Sequence, residues 1–114
     1  IRVCSGSIVD SIETAYEDTS GNTVSYGKRG GNGGSCSTLY FQSGEHITSI
    51  SGRYGNVVDS ITITTNFGRV LRKGGGGGKK SYNYNGNGQF FIAGLKGAAA
   101  NIIDSIGVVY YQMY

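Results

Sequence analysis

The chain has 114 residues, among them 21 glycines and no proline, and its formal net charge is +3 at pH 7. This mildly basic balance is too weak to indicate nucleic-acid binding, and no apolar stretch is long enough to form a membrane-spanning helix. Outside the glycine clusters Ile, Val, Ser, Thr and Tyr dominate, and most of these types favour strands. We therefore predict one all-β domain over residues 1–114, a sandwich, barrel or prism.

In chain order, the predicted elements are short strands that alternate with turns rich in Gly, Asn and Ser. The stretch 60–64 alternates polar and apolar residues, as a strand with one solvated face does. The only helix-like run, Lys96 to Asn101, is too short to be stable alone. The elements are a turn at 20–22, a turn at 43–45, strands at 47–51 and 60–65, turns at 66–68 and 85–88, and strands at 90–93 and 105–111.

A seven-residue unit occurs three times, at residues 6–12, 55–61 and 100–106. Each unit is a small residue, a polar residue, two apolar residues and then Asp-Ser-Ile. Asp10, Asp59 and Asp104 lie 49 and 45 positions apart, and this near-equal spacing predicts approximate threefold symmetry. Glycine-rich runs at residues 30–34 and 74–78 follow the first and second units.

No feature of the sequence indicates catalysis or a bound metal or cofactor. Cys4 and Cys36 allow one disulfide, within or between chains, or two buried thiols. Their spacing fits no zinc pattern, and His46 is the only histidine. The run 78–81, Gly-Lys-Lys-Ser, lacks the ending of a phosphate-binding loop and precedes no helix. We therefore expect a protein that is not an enzyme and needs neither metal nor cofactor.

In their order and spacing, these units and glycine-rich runs resemble the jacalin-related lectins. Residues 44–52, 64–66 and 103–107 carry the resemblance further, over nearly the whole chain. It extends to the griffithsin-like and zymogen-granule-lectin-like members of the mannose-binding type. It implies a β-prism I of three Greek-key-like sheets with pseudo-threefold symmetry.

The sequence departs from the family pattern at two places, both on the third unit. The first strand and first glycine-rich loop of the family have no counterpart before Ile1, and Ala100 stands where the family has Gly. We expect a homodimer contact or a strand-completing peptide to cover the resulting sheet edge.

The resemblance implies that each Asp pairs with the glycine-rich run that follows it to bind a sugar. A carboxylate accepts hydrogen bonds from two neighbouring hydroxyls, and Gly lets main chain approach a ligand. The alternative is an Asp that only bonds its own turn. We expect two working sites and a weak third at Asp104. Their residues are Asp10, Gly33 and Gly34 with the amides of Ile8 and Val9, and Asp59, Gly77 and Gly78 with the amides of Val57 and Val58.

Three functional hypotheses follow. The first, from the resemblance, is a secreted lectin that cross-links or agglutinates mannose- or glucose-type glycans. Galactose binding in the family is linked to a free amino-terminal Gly, which Ile1 does not match. The second is a binder of sulfated or acidic polysaccharide, and the third is a structural matrix protein on the same fold. The start at Ile1 rather than Met is what a processed, secreted chain would show.

The second hypothesis rests on basic residues that flank the glycine-rich runs. Ordinary solvated surface charge is the alternative explanation. Tyr82 and Tyr84 are open to two interpretations, stacking on a sugar ring or packing within a strand. The basic residues are Lys28, Arg29, Arg72, Lys73, Lys79 and Lys80.

Overall fold

A computed structural model describes residues 1–17 and 20–112 of the chain, and these residues form an all-β structure. In the described ranges no helix is long and apolar enough to cross a membrane. The run Lys96–Asn101 is not helical, since residues up to Ala99 continue a strand. The strands are β1 (Arg2–Ser5), β2 (Val9–Glu17), β3 (Thr23–Gly30), β4 (Ser35–Thr38), β5 (Ile47–Tyr54), β6 (Ser60–Thr65), β7 (Val70–Gly74), β8 (Lys80–Asn85), β9 (Phe90–Ala99) and β10 (Ile103–Gln112).

Two four-stranded antiparallel units have the same Greek-key order. The first is β3-β2-β1-β4, and the second is β7-β6-β5-β8. The third unit consists, in the described residues, of the β9–β10 hairpin, which joins β5 through the pair Ile47↔Ile92. The arrangement is the β-prism expected from the sequence, with a third face of only two described strands.

The core is one cluster of aliphatic side chains contributed by all three units. Strand β6 shows why, because its residues alternate between half-buried and buried, and Ile61 and Ile63 are fully buried. This confirms the strand predicted from the alternation over residues 60–64. The buried cluster contains Val3, Val9, Ile12, Ile47, Ile50, Val58, Ile61, Ile63, Ile92, Ile103 and Val108.

Main-chain hydrogen bonds join the three repeated units at the prism axis. The amide of Val9 donates to the carbonyl of Val58 over 3.0 Å, and the amide of Val58 donates to the carbonyl of Ile103 over 3.0 Å. These three residues occupy the same position in their units, immediately before the Asp. The three repeated units of the sequence are therefore adjacent in the structure, where their main chains contact one another.

The two cysteines form an intrachain disulfide between neighbouring strands. Cys4 of β1 and Cys36 of β4 lie directly opposite each other in the antiparallel register, and the bond closes a sequence separation of 32 residues. This settles the alternatives that the sequence left open.

A buried carboxylate, that of Glu45, fixes the connection between β4 and β5. Glu45 accepts hydrogen bonds from the Arg69 guanidinium at 2.6 and 2.8 Å, from the Thr65 hydroxyl at 2.7 Å and from the Gln42 amide at 2.9 Å. Arg69 also donates to the carbonyl of Tyr40. The Arg69 hydrogen bonds, helped by those from Thr65 and Gln42 and opposed by burial, lower the pKa of Glu45 to about 2.

Candidate functional site

The three repeated units form three similar turns at one end of the prism. In each turn the amide of the first residue donates to the carbonyl of the third. The bonds are Gly6 to Ile8 at 3.1 Å, Gly55 to Val57 at 3.0 Å and Ala100 to Ile102 at 3.1 Å. Ala100 therefore keeps the turn that its glycine counterparts make. A Cβ added at Gly6 or Gly55 would meet no atom within 4 Å, which explains why the equivalent position of the third unit can hold Ala100.

The first glycine-rich run lies against the carboxylate of Asp10. A Cβ added at Gly33 would lie 2.8 Å from Oδ1 of Asp10, and one at Gly34 would lie 2.7 Å from Oδ2. Gly34 has a φ of 77°, in the left-handed region that L side chains rarely adopt. The structure thus brings together the aspartate and both glycines that the resemblance grouped.

The second run repeats this geometry around Asp59. A Cβ at Gly77 would lie 2.8 Å from Oδ1 of Asp59, and one at Gly78 would lie 2.9 Å from Oδ2 and 2.9 Å from the amide nitrogen of Tyr54. Gly78 has a φ of 90°. Both runs therefore approach their aspartate so closely that any residue other than glycine would place a Cβ against the carboxylate.

The two carboxylates are half-buried and largely unoccupied. Oδ2 of Asp10 accepts one hydrogen bond, from the amide of Gly6 at 3.0 Å. The carboxylate of Asp59 accepts none from the described residues. Part of the bonding capacity of Asp10, and all of that of Asp59, is therefore free to accept from a ligand.

The pocket amides differ from those expected from the resemblance. The amides of Val9 and Val58 donate to main-chain carbonyls at the prism axis, as described above, so they are not available to a ligand. This corrects the expectation that they complete the pockets. The amides of Ile8 and Val57 make no main-chain hydrogen bond within the described residues, and they lie one position closer to the turn.

Arg53 lies at the second candidate site, although its position outside the repeated unit gave no reason to select it. Its guanidinium donates to the carbonyl of Gly78 from Nε at 3.1 Å and from Nη2 at 2.8 Å. The main-chain amide of Arg53 donates to the hydroxyl of Ser60, in the second repeated unit, at 3.0 Å. Arg53 therefore fixes the end of the glycine-rich run that lies against Asp59.

Asp104 lacks such a partner. Its side chain is exposed, and no glycine-rich run approaches it among the described residues. The first run instead contacts the third turn through Gly31, where a Cβ would lie 2.2 Å from the carbonyl oxygen of Asn101. The third unit thus has the turn and the carboxylate but no described main chain opposite them.

The basic residues lie on the strands and loops beside the two glycine-rich runs. Lys28 donates to the side-chain oxygen of Asn32 in the first run, and Lys73 reaches the Ser35 hydroxyl at 3.5 Å. Of the described residues, only Arg69 and Glu45 form an ion pair. Lys28, Arg29, Arg72, Lys73, Lys79 and Lys80 therefore carry charge without a described carboxylate partner.

The tyrosines of β8 are packed rather than presented to solvent. The Tyr82 hydroxyl donates to the carbonyl of Ser60 at 2.7 Å, and the Tyr84 hydroxyl donates to the carbonyl of Ile106 at 3.2 Å. Burial, together with the neighbouring Tyr84, raises the pKa of Tyr82. The structure therefore favours packing within the strand over stacking on a sugar ring.

Comparison with known proteins finds the same fold. The family model of the jacalin-like lectin domain matches residues 1–109. Horcolin from Hordeum vulgare subsp. vulgare is 35% identical over 113 residues, covering 94% of this chain and 77% of horcolin. Malaysian banana lectin superposes with a TM-score of 0.86 at 28% identity, covering 97% of this chain and 80% of that one. A mannose-binding jacalin-related lectin from Ananas comosus superposes with a TM-score of 0.86 at 26% identity, covering 98% and 80%.

Proposed function

Because the chain belongs to the jacalin-like lectin family, we propose that it binds mannose- or glucose-type glycans at two sites, one at Asp10 and one at Asp59. Lectins of this family bind carbohydrate without transforming it, so the protein is not an enzyme. The observation that carries the proposal is the close approach of a glycine-rich run to each carboxylate, which brings main chain and carboxylate together at one place.

The chemistry of a pyranose fits these two candidate sites. Adjacent hydroxyls donate to the free carboxylate oxygens, and such charge-assisted bonds contribute about 1.5–3 kcal/mol each. The amides of Ile8 and Val57 then donate to sugar oxygens. Mannose is the preferred sugar of the proposal, because the relative from Ananas comosus is a mannose-binding lectin.

Two sites on one chain support cross-linking and agglutination. Each site is small and polar, so a single sugar binds weakly, whereas simultaneous engagement of both sites raises avidity by roughly 10²–10⁴ where the spacing of a branched glycan fits. The outer edge of β10 has no described neighbour strand, and this edge suits a homodimer contact or a strand-completing peptide. A dimer would double the number of sites.

Secretion is part of the proposal. The Cys4–Cys36 disulfide supports it, because disulfides form and persist in oxidising compartments.

An acidic polysaccharide is the second candidate ligand, through the six basic residues beside the runs. Their lack of described carboxylate partners leaves their charge available to sulfate or carboxylate groups of a polysaccharide. Such binding would weaken as salt rises, because salt screens exposed charges. Binding of neutral mannose at the Asp sites would change little.

A glycan array tests both candidates, run at low and at high salt with the wild type and with Asp10→Ala, Asp59→Ala and the double variant. The proposal expects mannose-type signal that resists salt, falls in each single variant and disappears in the double variant. Asp104→Ala is the matched control and should bind as the wild type does. Mannose binding that survives in the double variant would exclude both sites.

A further inference from the structure

The far end of the prism holds a second concave surface, away from the Asp sites. The two ends of strand β5 show this. Tyr54, which pairs with Lys80, lies at the end of the prism that holds the Asp sites, and Ser49, which pairs with Asn85, lies towards the other end. The β8–β9 loop at residues 85–90 therefore lies at the opposite end from the glycine-rich runs.

This surface, the Asn85–Phe90 groove, consists of two adjoining hollows of about 320 and 290 Å³. Each is close to the lower end of the range of about 300–1,000 Å³ typical of ligand sites. Asn85, Asn87 and Phe90 line both hollows, so the two form one continuous groove. Gly86, Gln89 and Tyr110 complete the first hollow, and His46, Thr48, Asn66 and Gly88 complete the second.

An aromatic pair forms the apolar wall of the first hollow. Phe90 and Tyr110 are 38% and 41% exposed, and their ring centroids lie 6.0 Å apart at an interplanar angle of 64°. Each of these exposed rings offers an apolar surface against which one face of a ligand can pack. The C–H face of a pyranose is such a surface.

The polar groups of the groove are amides with bonding capacity to spare. The side chains of Asn87 and Gln89 make no hydrogen bond to another described residue, and each offers two donor hydrogens and an acceptor oxygen. Among the described residues, no Asp, Glu, Lys or Arg lines either hollow. A ligand that is neutral, rich in hydroxyls and apolar on one face matches this lining.

Hydrogen bonds within the loop and to strand β5 support the turn that presents these groups. Asn87 has a φ of 53°, and its amide donates to the side-chain oxygen of Asn85 at 2.7 Å. The amide of Gly86 donates to the carbonyl of Thr48, and the amides of Gln89 and Phe90 both donate to the carbonyl of Gly86.

We propose that the Asn85–Phe90 groove is a second saccharide site, which takes a neutral mono- or disaccharide with one ring against Phe90 and Tyr110 and its hydroxyls on Asn87 and Gln89. It is independent of the Asp10 and Asp59 sites and extends the proposed function, because sugars would then bind at both ends of the prism.

Amide NMR of the Asp10→Ala, Asp59→Ala double variant tests the groove without interference from the Asp sites. Methyl α-mannoside, cellobiose and lactose are titrated in turn, with phenol as an aromatic probe that has no sugar hydroxyl chemistry. The expected result is saturable movement of the Asn87 and Gln89 side-chain NH₂ signals with at least one saccharide, in the millimolar range. The proposal is overturned if none of the three saccharides gives a saturable shift. It is equally overturned if only phenol does.

Two groove variants and one control locate the binding. Phe90→Ala removes the stacking surface and should weaken binding roughly ten-fold. Asn87→Gly removes an amide from a position whose φ suits glycine, so the turn is retained. Phe67→Ala is the control, because Phe67 is 48% exposed and lines neither hollow. Binding that persists unchanged in both groove variants overturns the proposal, and loss in both with retention in the control supports it.

Discussion

Gly34 lies so close to Asp10 that a Cβ on the glycine would be 2.7 Å from Oδ2 of the carboxylate and 2.4 Å from the carbonyl carbon of Ser5. No other residue fits there without displacing either the main chain or the aspartate. The same relationship recurs between Gly78 and Asp59, where the corresponding distance is 2.9 Å. Glycine is thus required at these positions for two separate reasons, the close approach and the positive φ.

The first prediction concerns these glycines. Gly78→Ala should abolish sugar binding at the Asp59 site, because the added methyl group occupies the space beside the carboxylate. It should also cost about 1–2 kcal/mol of stability through the left-handed backbone. Gly76→Ala is the matched control in the same run, since its Cβ would meet no atom within 4 Å. Calorimetric titration with methyl α-mannoside in the Asp10→Ala background measures the effect, and equal loss in both variants would contradict it.

The second prediction concerns Arg53. Arg53→Ala removes both hydrogen bonds to the carbonyl of Gly78 and frees the run beside Asp59. We expect roughly three- to ten-fold weaker binding at that site and no change at the Asp10 site. Titration in the Asp10→Ala and Asp59→Ala backgrounds separates the two sites. Equal weakening at both would indicate a general loss of structure.

The third prediction concerns the third unit. Ala100→Gly should leave Asp104 without detectable sugar binding, because the turn already has the geometry of the other two and what is absent is a described glycine-rich run opposite the carboxylate. The substitution should lower stability by no more than about 1 kcal/mol. Titration in the Asp10→Ala, Asp59→Ala background gives the answer, and a gain of binding would mean that Ala100 itself blocks the site.

The fourth prediction concerns pH. The folded pKa of Glu45 is about 2, below its ordinary value of 4.5. A lowered carboxyl pKa stabilises the fold fully above pH 4.5, and that contribution diminishes as pH falls and is lost by about pH 2. Melting temperature should therefore fall across this window in the wild type. Glu45→Gln should be less stable at neutral pH, and its melting temperature should depend less steeply on pH. A pH profile identical to that of the wild type would argue against a stabilising role of the ionised Glu45 carboxylate.

The fifth prediction concerns the disulfide. Cys4→Ala, Cys36→Ala should lower the free energy of unfolding by about 2–4 kcal/mol, because the bond restricts the unfolded chain. Denaturant unfolding measures this change. Reducing agent should have a comparable effect on the wild type and none on the double variant. Sugar binding well below the melting temperature should persist, since neither cysteine lies in a proposed site.

The strands were predictable where burial alternates with sequence position. Residues 60–65 show this, because Ile61 and Ile63 point inward and their neighbours outward, a pattern that only a strand produces. Residues 96–99 were misleading, since Gly and Ala carry little side-chain information and strand pairing with β10 overrides their local preference.

The site was predictable as a grouping but not in its hydrogen bonding. The family resemblance placed Asp10 and Asp59 with the glycine-rich runs that lie against them in the structure, but neither it nor the repeats revealed the hydrogen bonds. The repeats could not show that the amides of Val9 and Val58 are engaged across the prism axis, because those partners come from other units. Arg53 was missed for a related reason, since its contact with Gly78 spans 25 positions and lies outside any repeated motif.

The second glycine-rich run rests on the first turn, where a Cβ at Gly75 would lie 2.5 Å from the carbonyl oxygen of Ser7. Asp10 follows that same turn, so a single stretch of backbone supports both candidate sites. The contact between the second run and the first turn therefore fixes the distance between the two candidate sites. A branched ligand whose arms match that interval gains from both contacts, and one with a different interval gains from only one.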